Sequence, residues 1–155
     1  MERERLQAIP AAITVLIDDG YRFWREGQLD MALAQLETAL VRAAAVGSVA
    51  AMLSARHLLG TLAYERGDLE AASEHHLFVL SESERYGIAV GIASSLHNLG
   101  LVSAAQSDKV TVGQQMLAAA DRYTRLGMGE AAAAVRANLA AIAEERPPLL
   151  RNGHA

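Results

Sequence analysis

Three observations predict an all-α fold of about three repeated helix pairs closed by one further helix. The first is a fixed glycine step. Gly20, Gly60 and Gly100 stand 40 residues apart, as do Gly47, Gly87 and Gly127, while Gly27 and Gly67 start a third series that continues at Ser107. A step of this size marks a stack of like supersecondary units. The second is apolar spacing of three and four residues within each unit. Leu96, Leu99, Gly100 and Ser103 fall at i, i+3, i+4 and i+7, which is helix spacing and not strand alternation. The third is composition. Roughly a fifth of the chain is alanine and only 5% is aromatic, which suits close helix–helix packing better than a β-sandwich.

The elements follow in order. Helix one is expected near 5–26, from the apolar run Ala8 to Ile17 as far as the stop at Gly27. Helix two, 29–46, carries Ala32, Leu36, Ala39 and Leu40 on one face and ends at Gly47. Ser48 opens helix three, 49–66, with Arg56, Leu59, Gly60 and Ala63 in its packing columns. Gly67-Asp68 ends that helix and caps the next, 69–86, which sets Ala72, His76, Val79 and Leu80 inward. Helix five, 89–106, holds Leu96, Leu99 and Gly100. Ser107-Asp108 then opens helix six, 109–126, with Val112, Met116, Ala119 and Ala120. Helix seven, 129–145, repeats the opening of a unit, since Asn138-Leu139-Ala140 comes 40 after Asn98-Leu99-Gly100. It is expected to cap the stack, with Arg136, Glu144, Glu145 and Arg146 toward water. The expected organisation is one domain, 1–146, with units about 8–47, 48–87 and 88–127, the capping helix 129–145, and a frayed tail 147–155 that begins at Pro147-Pro148.

With 52% apolar and 21% charged residues, a chain of 155 residues has enough material for a real core. Its net charge of −4 leaves no basic stripe for nucleic acid and no polybasic patch for anionic lipid. The absence of cysteine removes disulfides, thiolate metal sites and cysteine nucleophiles, and it agrees with a reducing cytoplasm. Lys109 is the sole lysine. An arginine- and alanine-rich, lysine-poor chain suggests a bacterial source. The acidic residues among Met1 to Arg5, Pro10 within the apolar run, and Asp18-Asp19 after it argue against a secretory signal. No apolar stretch reaches the ~20 residues of a membrane span.

These columns resemble the tetratricopeptide repeat family. In the first unit Gly20, Phe23, Gly27, Ala32, Ala39 and Leu40 match its pattern. In the second, Leu59-Gly60, Gly67-Asp68-Leu69-Glu70-Ala71-Ala72 and Val79-Leu80 match. In the third, Leu96, Asn98-Leu99-Gly100, Ala119 and Ala120 do, while Ser107, Val112 and Gly113 depart. The family's closing proline is missing from all three units, and its usual step is 34. A step of 40 is similar to repeats of spindle-orientation adaptors and of regulatory regions in bacterial transcription activators. The resemblance implies a right-handed α-solenoid in which the first helix of each pair lines a concave groove. Carried over by column, the partner groove would comprise Asp18, Tyr21, Trp24 and Arg25, then His57, Thr61, Tyr64 and Glu65, then Ser94, His97, Asn98 and Leu101, then Asn138. Offsets of three and four keep each set on one helical face. In peptide-binding relatives, asparagines in the column of Asn98 and Asn138 pair with an extended backbone, and an amide both donates and accepts. The lysine and arginine clamp of chaperone-tail binders is reduced here to Arg25, beside Asp18 and Glu65.

Each of these residues also has a plainer reading. Asn98 and Asn138 would simply be solvated or cap a turn. Trp24 is expected half-packed at a groove edge more than as the wall of a ligand cage. His57 and His97 share a column, with Asp18 in the next, a conceivable metal or acid–base set, although no activating pair or ligand spacing is local in the sequence. His76 occupies a packing column and His75 is expected to face solvent. Gly127-Met128-Gly129 lacks a preceding strand and a third glycine, so it reads as a turn and not a phosphate loop. No catalytic residue, cofactor or metal is assigned. The leading function is a non-catalytic module that binds a peptide segment of a partner protein in the cytoplasm. The alternatives are a self-associating sensor or regulator, with homo-oligomerisation through the exposed first helix and its partly open Ile9, Ile13 and Leu16, and a metal-dependent enzyme centred on His57, His97 and Asp18.

Overall fold

The computed structural model describes residues 8–145. Within them lie seven helices and no strand: α1 Ala11–Arg25, α2 Leu29–Val46, α3 Val49–Glu65, α4 Leu69–Tyr86, α5 Ala89–Ala105, α6 Lys109–Arg125 and α7 Gly129–Ala143. The chain divides into two compact units, the first ending at Phe78 and the second beginning at Val79, so the division falls inside α4.

One turn is used six times. Gly27, Gly47, Gly67, Gly87, Ser107 and Gly127 all take a left-handed backbone, and they stand 20 residues apart. The two interleaved 40-residue glycine series are thus one 20-residue series in space, a helix and its turn. The bonding is the same each time. At Gly67 the N–H donates to the Tyr64 carbonyl at 3.0 Å, and the Asp68 N–H reaches the Ala63 carbonyl at 2.9 Å. These bonds use carbonyls that a helix end leaves without partners. A side chain strains this conformation, so Ser107, at φ 62°, is the costly member of the set.

Three helix starts, those of α3, α4 and α6, carry a side-chain cap bond. Ser48 Oγ accepts from the Ala51 N–H at 3.3 Å, Asp68 Oδ1 from Ala71 at 3.0 Å and Asp108 Oδ1 from Thr111 at 3.1 Å. Gln28, Ile88 and Met128 begin α2, α5 and α7 with no side-chain cap bond. The start of α1 differs from expectation. Ala8 to Pro10 are non-helical and the helix opens at Ala11. The Pro10 ring bars Ile9 from helical geometry, and the Pro10 carbonyl takes the first bonds from Ile13 and Thr14. The expected positions 5–7 lie outside the described residues. α7 also ends early, at Ala143, with Glu145 at φ 56°.

In the first unit α1 packs on α2 and α3, and α2 on α3. One cluster joins Ile13, Ala39, Ala43, Ala51 and Ala55; a second joins Trp24, Ala32, Leu36, Leu59 and Leu62. Ile9 and Leu16 are half-buried against the first cluster and so stay partly open, whereas Ile13, expected to be partly open too, is buried within that cluster. Val15 is the large exposed apolar residue of α1. In the second unit α6 packs on α5 and α7. Its core includes Leu99, Val102, Val112, Met116, Ala119, Tyr123 and Val135.

The glycine of each leading helix is a close-approach position. A Cβ on Gly20 would lie 2.6 Å from Leu36 Cγ, one on Gly60 2.7 Å from His76 Cε1 and Nε2, and one on Gly100 2.7 Å from Met116 Sδ. The same contact therefore recurs three times, with leucine, histidine and methionine as the covering side chain.

Candidate functional site

The residues proposed for a partner surface fall into two groups, one in each unit. In the first, Asp18 and Arg25 are exposed and Tyr21 is half-buried on α1. The Tyr21 and Trp24 rings lie 5.6 Å apart at 50°, and the Arg25 guanidinium sits 5.9 Å from the Tyr21 ring centre. Trp24 itself is core. It packs with Ala32, Leu36, Leu59 and Leu62, because three helices converge on it. The half-packed groove edge expected for it is therefore corrected.

On α3, His57, Thr61, Tyr64 and Glu65 are all half-buried. The Thr61 hydroxyl donates to the His57 carbonyl at 3.1 Å, so it serves its own helix. Burial raises the Tyr64 hydroxyl above its ordinary pKa and holds the His57 imidazole below its own.

In the second unit the structure brings His97 and Asn138 together. Asn138 Nδ2 lies 2.9 Å from His97 Nε2. With the amide donating, His97 is neutral and carries its proton on Nδ1. Asn138 is only 1% exposed, so its amide works between α5 and α7 and not at a surface. Leu101 is likewise buried, at 4%. Ser94 and Asn98 stay half-buried. The Ser94 hydroxyl donates to the Gly91 carbonyl at 3.2 Å and also meets Tyr123, whose pKa is nevertheless raised, burial outweighing that bond. A further polar link joins the Ser103 hydroxyl to Gln115 Oε1 at 2.9 Å.

One cluster was not anticipated. Arg56 Nη1 donates to His75 Nδ1 at 3.4 Å, and its guanidinium lies 4.4 Å from the centre of the Phe78 ring. His75 is thus half-buried and engaged, not facing solvent as expected. The His57 and His76 rings meet edge to face at 5.9 Å. The signal for this cluster lay in the columns: Arg56 aligns with Leu16 and Leu96, and His76 with Leu36 and Met116. A polar residue in an otherwise apolar column needs a partner of its own.

Among the described residues no three His, Asp or Glu side chains converge to hold a metal ion. None of their helices is long and apolar enough to cross a membrane. No family model, curated protein or solved structure matches the chain.

Proposed function

We propose that this chain is a non-catalytic protein-interaction module of the tetratricopeptide kind, a right-handed α-solenoid whose leading helices bind a peptide segment of a partner. The observation that carries the reading is the threefold recurrence of one helix-pair contact, a leading-helix glycine under a large side chain, joined by turns at a 20-residue step. Such repeats hold a series of helix faces in register, and that suits recognition of an extended segment better than it suits chemistry. The faces available are Asp18, Tyr21 and Arg25 on α1, Thr61, Tyr64 and Glu65 on α3, and Ser94 and Asn98 on α5. A cytoplasmic, bacterial setting belongs to the same proposal and rests on the missing cysteine and the arginine-rich composition.

The test is co-purification from native lysate with the chain carrying Asn98→Arg or Tyr64→Arg. We expect the specific partner to be lost while helicity by circular dichroism is unchanged. Retention of every co-purifying protein by both folded variants overturns the proposal.

A further inference from the structure

Three of the five histidines of the chain, His57, His75 and His76, lie where α3 packs on the first half of α4, wholly within the first unit, and His75 meets Arg56 there. His76 is 1% exposed and lies against Gly60 so closely that not even a methyl group fits between them. The ring of His57 abuts it. His75 accepts a hydrogen bond from Arg56, a role open only to the uncharged imidazole. The repeat supplies its own comparison, for the equivalent contacts in the first and third pairs use Leu36 and Met116, which cannot titrate.

We propose that this α3–α4 contact is an acid-operated latch, held at neutral pH by uncharged imidazoles and released when they take up protons. A proton on His76 would place a cation in a site shut off from water. A proton on His75 would turn its Nδ1 into a donor facing the donor group of Arg56. The charged groups acting on His75 are Arg56 on α3, Glu74 on α4, Glu37 on α2, and Asp68 at the cap of α4. The carboxylates favour a charged His75, yet burial and Arg56 outweigh them, and its pKa is lowered. Burial alone lowers that of His57.

The direction follows from linkage. A histidine with a depressed folded pKa contributes no difference above its unfolded value, about 6.5. Below it the unfolded chain binds the proton first, so stability falls as pH falls. The loss stops once the folded group also titrates. Between pH 7.5 and 5.5 each such histidine raises the unfolding constant up to about tenfold.

The experiment is urea unfolding of the full chain at pH 7.5 and 5.5, for the parent, His76→Leu and His76→Met. The parent is expected to lose stability at pH 5.5. Either His76 variant should lose up to about tenfold less. Equal pH dependence in the parent and the His76 variants overturns the latch. Native-state hydrogen exchange of the parent decides the matter even if neither His76 variant folds. Amides of α3 and the first half of α4 should lose protection on acidification beyond those of α6 and α7, and a uniform change rejects the proposal.

Discussion

Ser107 shows how much one residue can carry. It occupies the left-handed turn position that glycine fills in the five equivalent turns, and its N–H still reaches the Ala104 carbonyl at 3.0 Å. The geometry is kept and the side chain is the strain. Ser107→Gly should therefore raise stability by about 1 kcal/mol, read as a higher urea midpoint at unchanged slope. Ser48 makes the opposite case. Its hydroxyl accepts from Ala51 and also donates to the Ala8 carbonyl at 3.0 Å, holding the segment before α1. Ser48→Ala should cost about 1–2 kcal/mol and loosen Ala8, detected by urea unfolding and by faster exchange of the nearby amides. Asn138 and Trp24 give the lesson of this scale. Both were expected at a surface from their column, and both are inside because other helices cover them.

At the scale of the element, glycine within a helix has two opposite meanings. Gly113 lies in α6 with open space where a Cβ would go, whereas Gly20 and Gly100 lie under Leu36 and Met116. Gly113→Ala should stabilise by about 0.5–1 kcal/mol through helix propensity. Gly100→Ala gains the same propensity but must push Met116 aside, and overpacking costs about 1–3 kcal/mol, so the net sign is destabilising. Thermal melts of the two variants side by side check this pair; a stable Gly100→Ala would mean that Met116 shifts freely. Leu36 is fully buried over Gly20, and Leu36→Ala should cost about 2–5 kcal/mol. The element ends were legible because helix caps are local chemistry. A serine or aspartate beside the first turn and a glycine after the last need no distant partner. The start of α1 escaped the same reading only because the apolar run Ala8 to Ile17 continues through Pro10, and the ring overrules the periodicity.

At the scale of the whole molecule, the proposed binding face makes one further demand. A partner peptide that binds only the native chain must raise its apparent stability, by about 2.7 kcal/mol at a concentration one hundred times its dissociation constant. Thermal melts with the peptide should show that rise for the parent and none for Asn98→Arg. The repeat, its helix spacing and its turn residues were readable in the chain alone, since each depends on neighbours within a few positions. Helix number and element order came with them. The destination of each polar side chain did not, for a column states which face a residue is on and not what crosses that face. The fixed glycine step thus settled where helices stop and where two of them can approach closely. Only the folded chain decided that His76 would take the place of a leucine, that Asn138 would spend its amide on His97, and that Arg56 would sit between Phe78 and His75. These pairings join residues 12 or more positions apart, and they are set by packing against helices that no local pattern names.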